Sequence, residues 1–530
     1  MNDFIKNKKH IFVISIISIV YVLVMTLVFD QKTFIFPDAG SSSYAPALFD
    51  YVICKVLSFV AIIGICCVVR CIAGADRKES TAYKVLLSGL PYLIVILAVA
   101  AIKMPQGYLS NDEYSIYNDA VNLTHSTWFN VITPYFYTVA LMLIPVKYAP
   151  IILKLVIEYA VVGYVTLRSR EHYGNKIGMC AYLLFLLYPV IAYTTSAHRL
   201  PVYFLLYLLL FSKMLFDHLE NRKLKLTDAV WMLLIGAVLT QWRTEGIYLS
   251  VLVPILMIIV YPDSILNNNA DDGIAKYPLL NKTGKSGAAM RLGTFLALGI
   301  VMQYIVSLPQ NAFMDASLDD AANDRMKPFY AYTITNMFRN GLDTEKNKED
   351  LMIVDNYLSL DSIVAINDYY ADINYEDVLI LYKEGFVGLR EGATIQDFID
   401  YSDAVKRIFI NNPDVFLGTR IGAFCYAALP YHIDRNGTVV SLGVSLVKTL
   451  SYNLFIPLAI IFVILILSLI RKRWFDFFVM GGLMCHWFIV FILAPASYFK
   501  YYFPIYIMAY FYVLIGLMSL LKRKCLDKIK

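Results

Sequence analysis

The sequence predicts an all-α polytopic membrane protein with about 12 transmembrane helices. Three observations carry this. Of 530 residues, 59% are hydrophobic and 16% charged, with a mean hydropathy of +0.60; soluble domains are roughly 45–50% apolar and about 25% charged. The apolar residues gather in runs near the length that crosses a hydrocarbon core about 30 Å thick. The basic residues fall between alternate runs, as the positive-inside rule requires.

The runs read as spans are 11–29, 51–72, 85–103, 148–167, 177–194, 200–216, 227–241, 247–261, 291–308, 451–470, 476–494 and 503–521. The first lacks a small-residue cleavage site and is read as a helix, not a signal peptide. The run 131–144 is apolar but short, bounded by Pro134 and Pro145, and is read as a helix in the interface. Charge decides that reading. With Lys6, Lys8 and Lys9 inside, the clusters Arg70/Arg77/Lys78/Lys84, Arg168/Arg170/Lys176 and Arg222/Lys223/Lys225 fall on the same side. So do Lys276/Lys282/Lys285/Arg291, Arg471/Lys472/Arg473 and Lys522/Arg523/Lys524. A thirteenth span at 131–144 would turn every later cluster outward. The expectation is a multi-pass protein of the cell membrane with both termini cytoplasmic.

Segments 30–50, 104–147, 195–199, 242–246, 309–450 and 495–502 are then extracytoplasmic. The long segment 309–450 is the one stretch able to form a soluble domain, mainly helical by its apolar spacing in Val378-Leu379-Ile380-Leu381 and Val405-Ile408-Phe409, with Gly385, Gly388 and Gly392 as turns. Between 309 and 440 it holds 21 acidic and 11 basic residues. The inside loop 262–290 reads as flexible. The organisation expected is an N-terminal two-helix addition over 1–84, a transmembrane core over 85–308 with outer loop 104–147, the loop domain 309–450, and C-terminal helices over 451–530. The eight cysteines fall mostly in apolar runs and read as small hydrophobes, not as disulfides. Many of the 40 tyrosines sit near the ends of runs, as interfacial belts do. The basic charge is topological and implies no nucleic acid.

The polar groups that suit chemistry collect on the outer side. Loop 104–147 carries Asp112, Glu113, Asp119, Asn122 and His125; 195–199 carries Ser196, His198 and Arg199; 242–246 carries Arg243, Thr244 and Glu245; and Tyr498, Lys500, Tyr501 and Tyr502 come late. Carboxylates and cations facing one surface suit a general base with an anionic leaving group. Each group also has a plainer reading. Ser110-x-x-Glu113 fits a capping box, and Asp112 fits a solvated loop acid. Arg199 fits a snorkelling anchor, Arg243 and Glu245 a local pair, and Lys500 an interface anchor. His125 and His198 lack metal-ligand spacing. Lys154 and Glu158, at i and i+4 within a span, read as a structural ion pair.

The order of these features resembles the GT-C superfamily of membrane glycosyltransferases, which includes protein O-mannosyltransferases and aminoarabinose transferases. The Asp112-Glu113 pair on an early outer loop, followed by Tyr114 and Tyr117, is similar to that family's acidic pair. Two interfacial helices would follow, about 112–126 and 131–144, before the next span. Thr133-Pro134 stands where the family often has His-Pro, and His198-Arg199-Leu200-Pro201 where it has Pro-Asp. Arg243-Thr244-Glu245-Gly246 and Lys500-Tyr501-Tyr502-Phe503-Pro504 look like two later family motifs. The likeness covers about 85–261 best.

The resemblance implies an inverting transfer of a sugar from a polyprenyl-phosphate-linked donor to a glycan, lipid or protein acceptor of the cell envelope, on the extracytoplasmic face. Asp112 would be the general base, with Glu113 orienting the acceptor or the base. Arg199, Arg243, Glu245, Lys500 and Tyr501 would bind substrate and phosphate. No metal ligands are assigned and no organic cofactor is implied; a divalent metal stays open. Membrane lipids are the other expected partner. The rival readings are a transporter or flippase, a polysaccharide polymerase or ligase, and a non-catalytic assembly factor.

Overall fold

A computed structural model describes residues 8–74, 78–103, 111–124, 129–196, 198–262, 284–314, 318–369, 388–431 and 438–527. The run Val378-Leu379-Ile380-Leu381, Gly385 and most of the loop 262–290 lie outside them. Among the described residues there are no strands; Leu358 and Leu389 form an isolated antiparallel bridge. Nine described helices are long and apolar enough to cross a membrane, ten if a bent pair is one span.

The chain divides into two compact units. The first comprises Met1–Phe313, Val463–Gly482 and Ile507–Lys530; the second comprises Met314–Phe462 and Leu483–Tyr506. The expected C-terminal segment 451–530 is thus shared between them.

In the first unit, α1 (Lys8–Val24) runs on through a π-turn (Met25–Asp30) to Thr33, and α2 is Tyr44–Ala73. Both leave most of their apolar side chains exposed, as lipid-facing helices do. Their few buried polar groups are paired. Asp30 takes the Lys55 ammonium and the Tyr51 hydroxyl, and Asp50 accepts from Tyr135. Next come α3 (Thr81–Lys103), α4 (Asn111–Asn122), α5 (Ile132–Leu143) and α6 (Ala149–Tyr173). At twelve residues α5 is too short to span. It is nearly all buried and packs on α2, α4 and α6.

Helices α3 and α6 make close backbone contact at two glycines. A Cβ on Gly163 would lie 2.2 Å from the Val85 carbonyl oxygen, and one on Gly89 would lie 2.6 Å from the Tyr159 ring. Small residues let membrane helices approach this closely. Gly174, at φ +94°, ends α6.

The expected span 177–194 is broken into α7 (Asn175–Phe185) and α8 (Tyr188–Thr194), bent by 64°. Pro189 has no N–H to give the preceding turn, and its ring excludes the turn's carbonyl, so the helix restarts. Then follow α9 (Leu200–Leu219), opened by Pro201, α10 (Leu226–Trp242), a 3₁₀ turn (Thr244–Tyr248), α11 (Leu249–Val260) and α12 (Gly284–Met314). Helices α10 and α11 are shorter than the spanning helices. Helix α9 rises about 30 Å between two polar layers. Arg199 precedes its first residue. Near its end the buried Asp217 accepts from Lys213 at 2.8 Å and Tyr261 at 2.7 Å, with Arg168 at 3.6 Å.

The second unit contains α13 (Leu318–Arg339), α14 (Lys348–Asp355), α15 (Leu360–Tyr369), α16 (Ile395–Asn411) and α17 (Pro413–Ala428) around one apolar core that includes Tyr332, Ile334, Val354, Ile363, Tyr401 and Val405. Helix α16 starts with a capping box, Thr394 and Asp397 satisfying each other's main-chain N–H. Helix α18 (Val439–Ser451) follows, then α19 (Phe455–Ile470), α20 (Trp474–Leu493), a 3₁₀ turn (Phe499–Tyr502) and α21 (Phe503–Asp527). The buried Arg420 donates to the carbonyls of Phe491 at 2.6 Å and Ala494 at 2.9 Å, closing the end of α20.

Candidate functional site

Two acids, a histidine and two arginines of the first unit meet where α4, the 195–199 segment and the turn after α10 come together. Helix α4 places the two acids of its first turn differently. Glu113, Ile116 and Ala120 follow the i, i+3, i+7 spacing of one face and are buried, whereas Tyr114 and Ser115 are exposed and Asp112 is half-buried. Glu113 is only 1% exposed. A buried carboxylate must be hydrogen-bonded or paired. Glu113 Oε1 faces His198 Nδ1 at 3.1 Å and accepts the Arg199 main-chain N–H at 3.4 Å. Ser110, the partner a capping box would need, lies outside the described residues, as does His125.

The segment bearing His198 and Arg199 is held from two neighbouring helices. Lys154 on α6 donates to the carbonyl of Ser196, and reaches those of Tyr193 at 3.5 Å and His198 at 3.4 Å. Lys103 on α3 reaches the Ala192 carbonyl at 3.4 Å and the Thr195 hydroxyl at 3.2 Å. The last carbonyls of a helix have no partner within it and carry partial negative charge, so ammonium groups suit the end of α8. Lys154 and Glu158 remain charge partners, as expected, but their direct contacts lie elsewhere. Lys154 serves those carbonyls, and Glu158 accepts the Tyr92 hydroxyl at 2.6 Å.

Arg199 lays its guanidinium 4.2 Å over the Phe129 ring, and its carbonyl accepts from Trp242 Nε1 at 3.2 Å. Burial pushes this guanidinium down from its ordinary value, and Arg243 adds to that; Asp112, Glu113 and Glu245 oppose both. Arg199 therefore lies within the electrostatic reach of all four groups. Arg243 is a two-point partner of Glu245, Nη2 to Oε1 at 2.7 Å and Nε to Oε2 at 3.3 Å. Gly246 lets that turn close: its Cβ would lie 3.0 Å from both the Leu239 carbonyl and the Tyr203 hydroxyl.

Of the sequence-predicted residues, Asp112, Glu113, Arg199, Arg243 and Glu245 are thus brought together. Lys500 and Tyr501 belong to the second unit. There Lys500 sits 4.6 Å over the Tyr498 ring, and the Tyr501 carbonyl faces His486 Nε2 at 2.9 Å. His198 is named in the sequence reading among the outer polar groups but is given no role there, and the structure makes it the partner of Glu113. The 113/116/120 spacing was the available signal, because it turns Glu113 inward and so demands a partner.

The arrangement offers a half-buried carboxylate able to take a proton and two guanidinium groups able to hold an anion. Among the described residues no three His, Cys, Asp or Glu side chains converge as a metal site. No family model matches the chain, and no curated protein or solved structure does.

Proposed function

We propose that this protein is an integral membrane glycosyltransferase. It moves a sugar from a polyprenyl-phosphate-linked donor to a cell-envelope acceptor on the extracytoplasmic face, with inversion. The observation that carries the reading is that Arg199 is contacted through its N–H by Glu113, next to Asp112, and through its carbonyl by Trp242, next to the Arg243–Glu245 pair, in a chain with membrane-length helices. In the reaction, Asp112 takes the acceptor hydroxyl proton as that oxygen attacks the anomeric carbon. The bond from that carbon to the phosphate oxygen breaks, and Arg199 and Arg243 stabilise the phosphate that leaves. A donor on a lipid cannot leave the bilayer, so a site at the ends of spanning helices suits it. In this reading the twelve segments cross the membrane, both termini are cytoplasmic, and 309–450 is an extracytoplasmic domain on the acceptor side. Lys500 and Tyr501 carry no step of it.

The test is release of polyprenyl phosphate from synthetic lipid-linked sugars by the purified protein in detergent. Asp112→Asn should lose about 10²–10⁴-fold in rate with unchanged unfolding. Near-normal transfer by that variant removes Asp112 as the base. One observation favours a transporter instead: the broken helix α7–α8, with Lys103 and Lys154 at its end, is a device found at transporter sites. Uptake of labelled substrate into proteoliposomes without sugar transfer would decide for that reading.

A further inference from the structure

The histidine of this site is held in one orientation. Its ring is fixed from two directions. Glu113 faces Nδ1 at 3.1 Å, and Tyr193 packs edge-on against the ring at 5.4 Å. Its backbone carbonyl is tied to Lys154 on α6 at 3.4 Å. A carboxylate only accepts, so the Nδ1 position carries a hydrogen, and the other ring nitrogen is the one left for exchange. No described residue hydrogen-bonds Nε2, and the side chain is 25% exposed. Glu113, on the Nδ1 side, is buried, while the His198 side chain keeps a quarter of its surface exposed. A carboxylate behind an imidazole fixes its orientation and tautomer. The charged groups nearest the ring are Glu113 from α4, Lys154 from α6 and the adjacent Arg199.

We propose that His198 is the general acid for the departing phosphate, with Glu113 as its positioning residue. This rests on the transferase reading and adds to it. Asp112 takes the acceptor proton while the new bond to the anomeric carbon forms. The electron pair of the breaking bond goes to the phosphate oxygen, which receives the Nε2 proton of His198. His198 is left neutral, with Nδ1–H on Glu113. Water then removes the proton from Asp112 and returns one to His198, so the cycle closes without a net change. A phosphate monoester has its second ionisation near pH 6, which places imidazole in the right range to serve it.

The experiment compares wild type, His198→Gln, His198→Ala and Glu113→Gln on a synthetic polyprenyl-phosphate sugar in detergent, with and without added imidazole. His198→Gln should lose about 10²-fold or more in kcat with KM kept. Added imidazole should restore part of the rate of His198→Ala and none of the rate of wild type. Glu113→Gln should also lower kcat with KM kept. The rescue distinguishes a missing acid from a misfolded protein, because imidazole does not refold a chain. A His198→Gln kcat within about threefold of wild type, or a loss in His198→Ala that imidazole does not restore, overturns the acid role and leaves the transferase reading standing. A wild type inert toward every polyprenyl-phosphate sugar overturns the transferase reading, and the acid role with it.

Discussion

Replacing Glu113 separates two accounts of this residue. If it only caps the first turn of α4, Glu113→Ala costs about 1 kcal/mol, as the loss of a cap does, and the cost is indifferent to residue 198. The structure gives a different figure. The buried carboxylate faces the His198 ring at 3.1 Å and the Arg199 N–H at 3.4 Å. Hydrogen bonds to a charged group contribute about 1.5–3 kcal/mol each, and the second is long enough to fall at or below the bottom of that range. Glu113→Ala should therefore cost about 2–4 kcal/mol. Glu113→Gln keeps an acceptor for the ring but loses the charge, and should cost about half as much. The decisive quantity is the coupling in a Glu113→Ala/His198→Ala cycle. It should be about 1–2 kcal/mol, within the range for residues in contact. The assay is reversible unfolding in mixed micelles, followed by tryptophan fluorescence. Additivity of the two substitutions to within about 0.5 kcal/mol would refute the pairing and return Glu113 to the status of a cap.

Three further outcomes follow from the packing. Gly163→Leu should abolish recovery of folded protein by size exclusion, because its first carbon already meets the Val85 carbonyl at 2.2 Å; a monodisperse variant would contradict the close crossing of α3 and α6. Lys154→Met should remove the Lys154 donor from the Ser196 and His198 carbonyls, costing about 1–3 kcal/mol for each group left buried and unpaired. It should also raise amide exchange at 195–199 while α9 stays protected; unchanged exchange there would show that the segment is held by other means. In the second unit, burial tends to raise Asp355, but the Leu360 N–H and the Arg390 guanidinium overcome this and hold its carboxyl below the ordinary aspartate range. With the folded value depressed, the stabilisation is full above the unfolded value, about 3.9, and drains away as pH falls through the folded one. Asp355→Asn should flatten the acid limb of unfolding for 318–431, and an unaltered limb would remove Asp355 from it.

How much of this was legible in the sequence differs between the fold and the site. The segments read as spans 11–29, 51–72 and 85–103 coincide with long apolar helices, and 131–144 with a helix too short to cross. Composition suffices there, because a chain in hydrocarbon must satisfy every backbone polar group internally and helices do so locally. The shortness of α5 is likewise local, set by Pro134, Pro145 and the run between them. The segment 177–194 reads as one apolar run, although it contains Pro189. A proline tells of a break in a helix but gives no direction for the next piece, and the bend of 64° depends on what α8 packs against.

The acidic pair and the later arginines are visible in the sequence as residue types, and the basic clusters between the runs give the expectation that they share one side of a membrane. The sequence by itself determined that this is a helical protein with several helices apolar enough to cross a membrane, and which polar residues lie between them. Only the tertiary structure decided that Asp112 and Glu113 differ, that Glu113 meets His198, and that Lys154 serves the end of α8. The physical reason is range. Hydrophobic periodicity acts between residues a few positions apart. A buried charge takes the partner that folding brings near, and Glu113 and His198 are 85 positions apart in the chain.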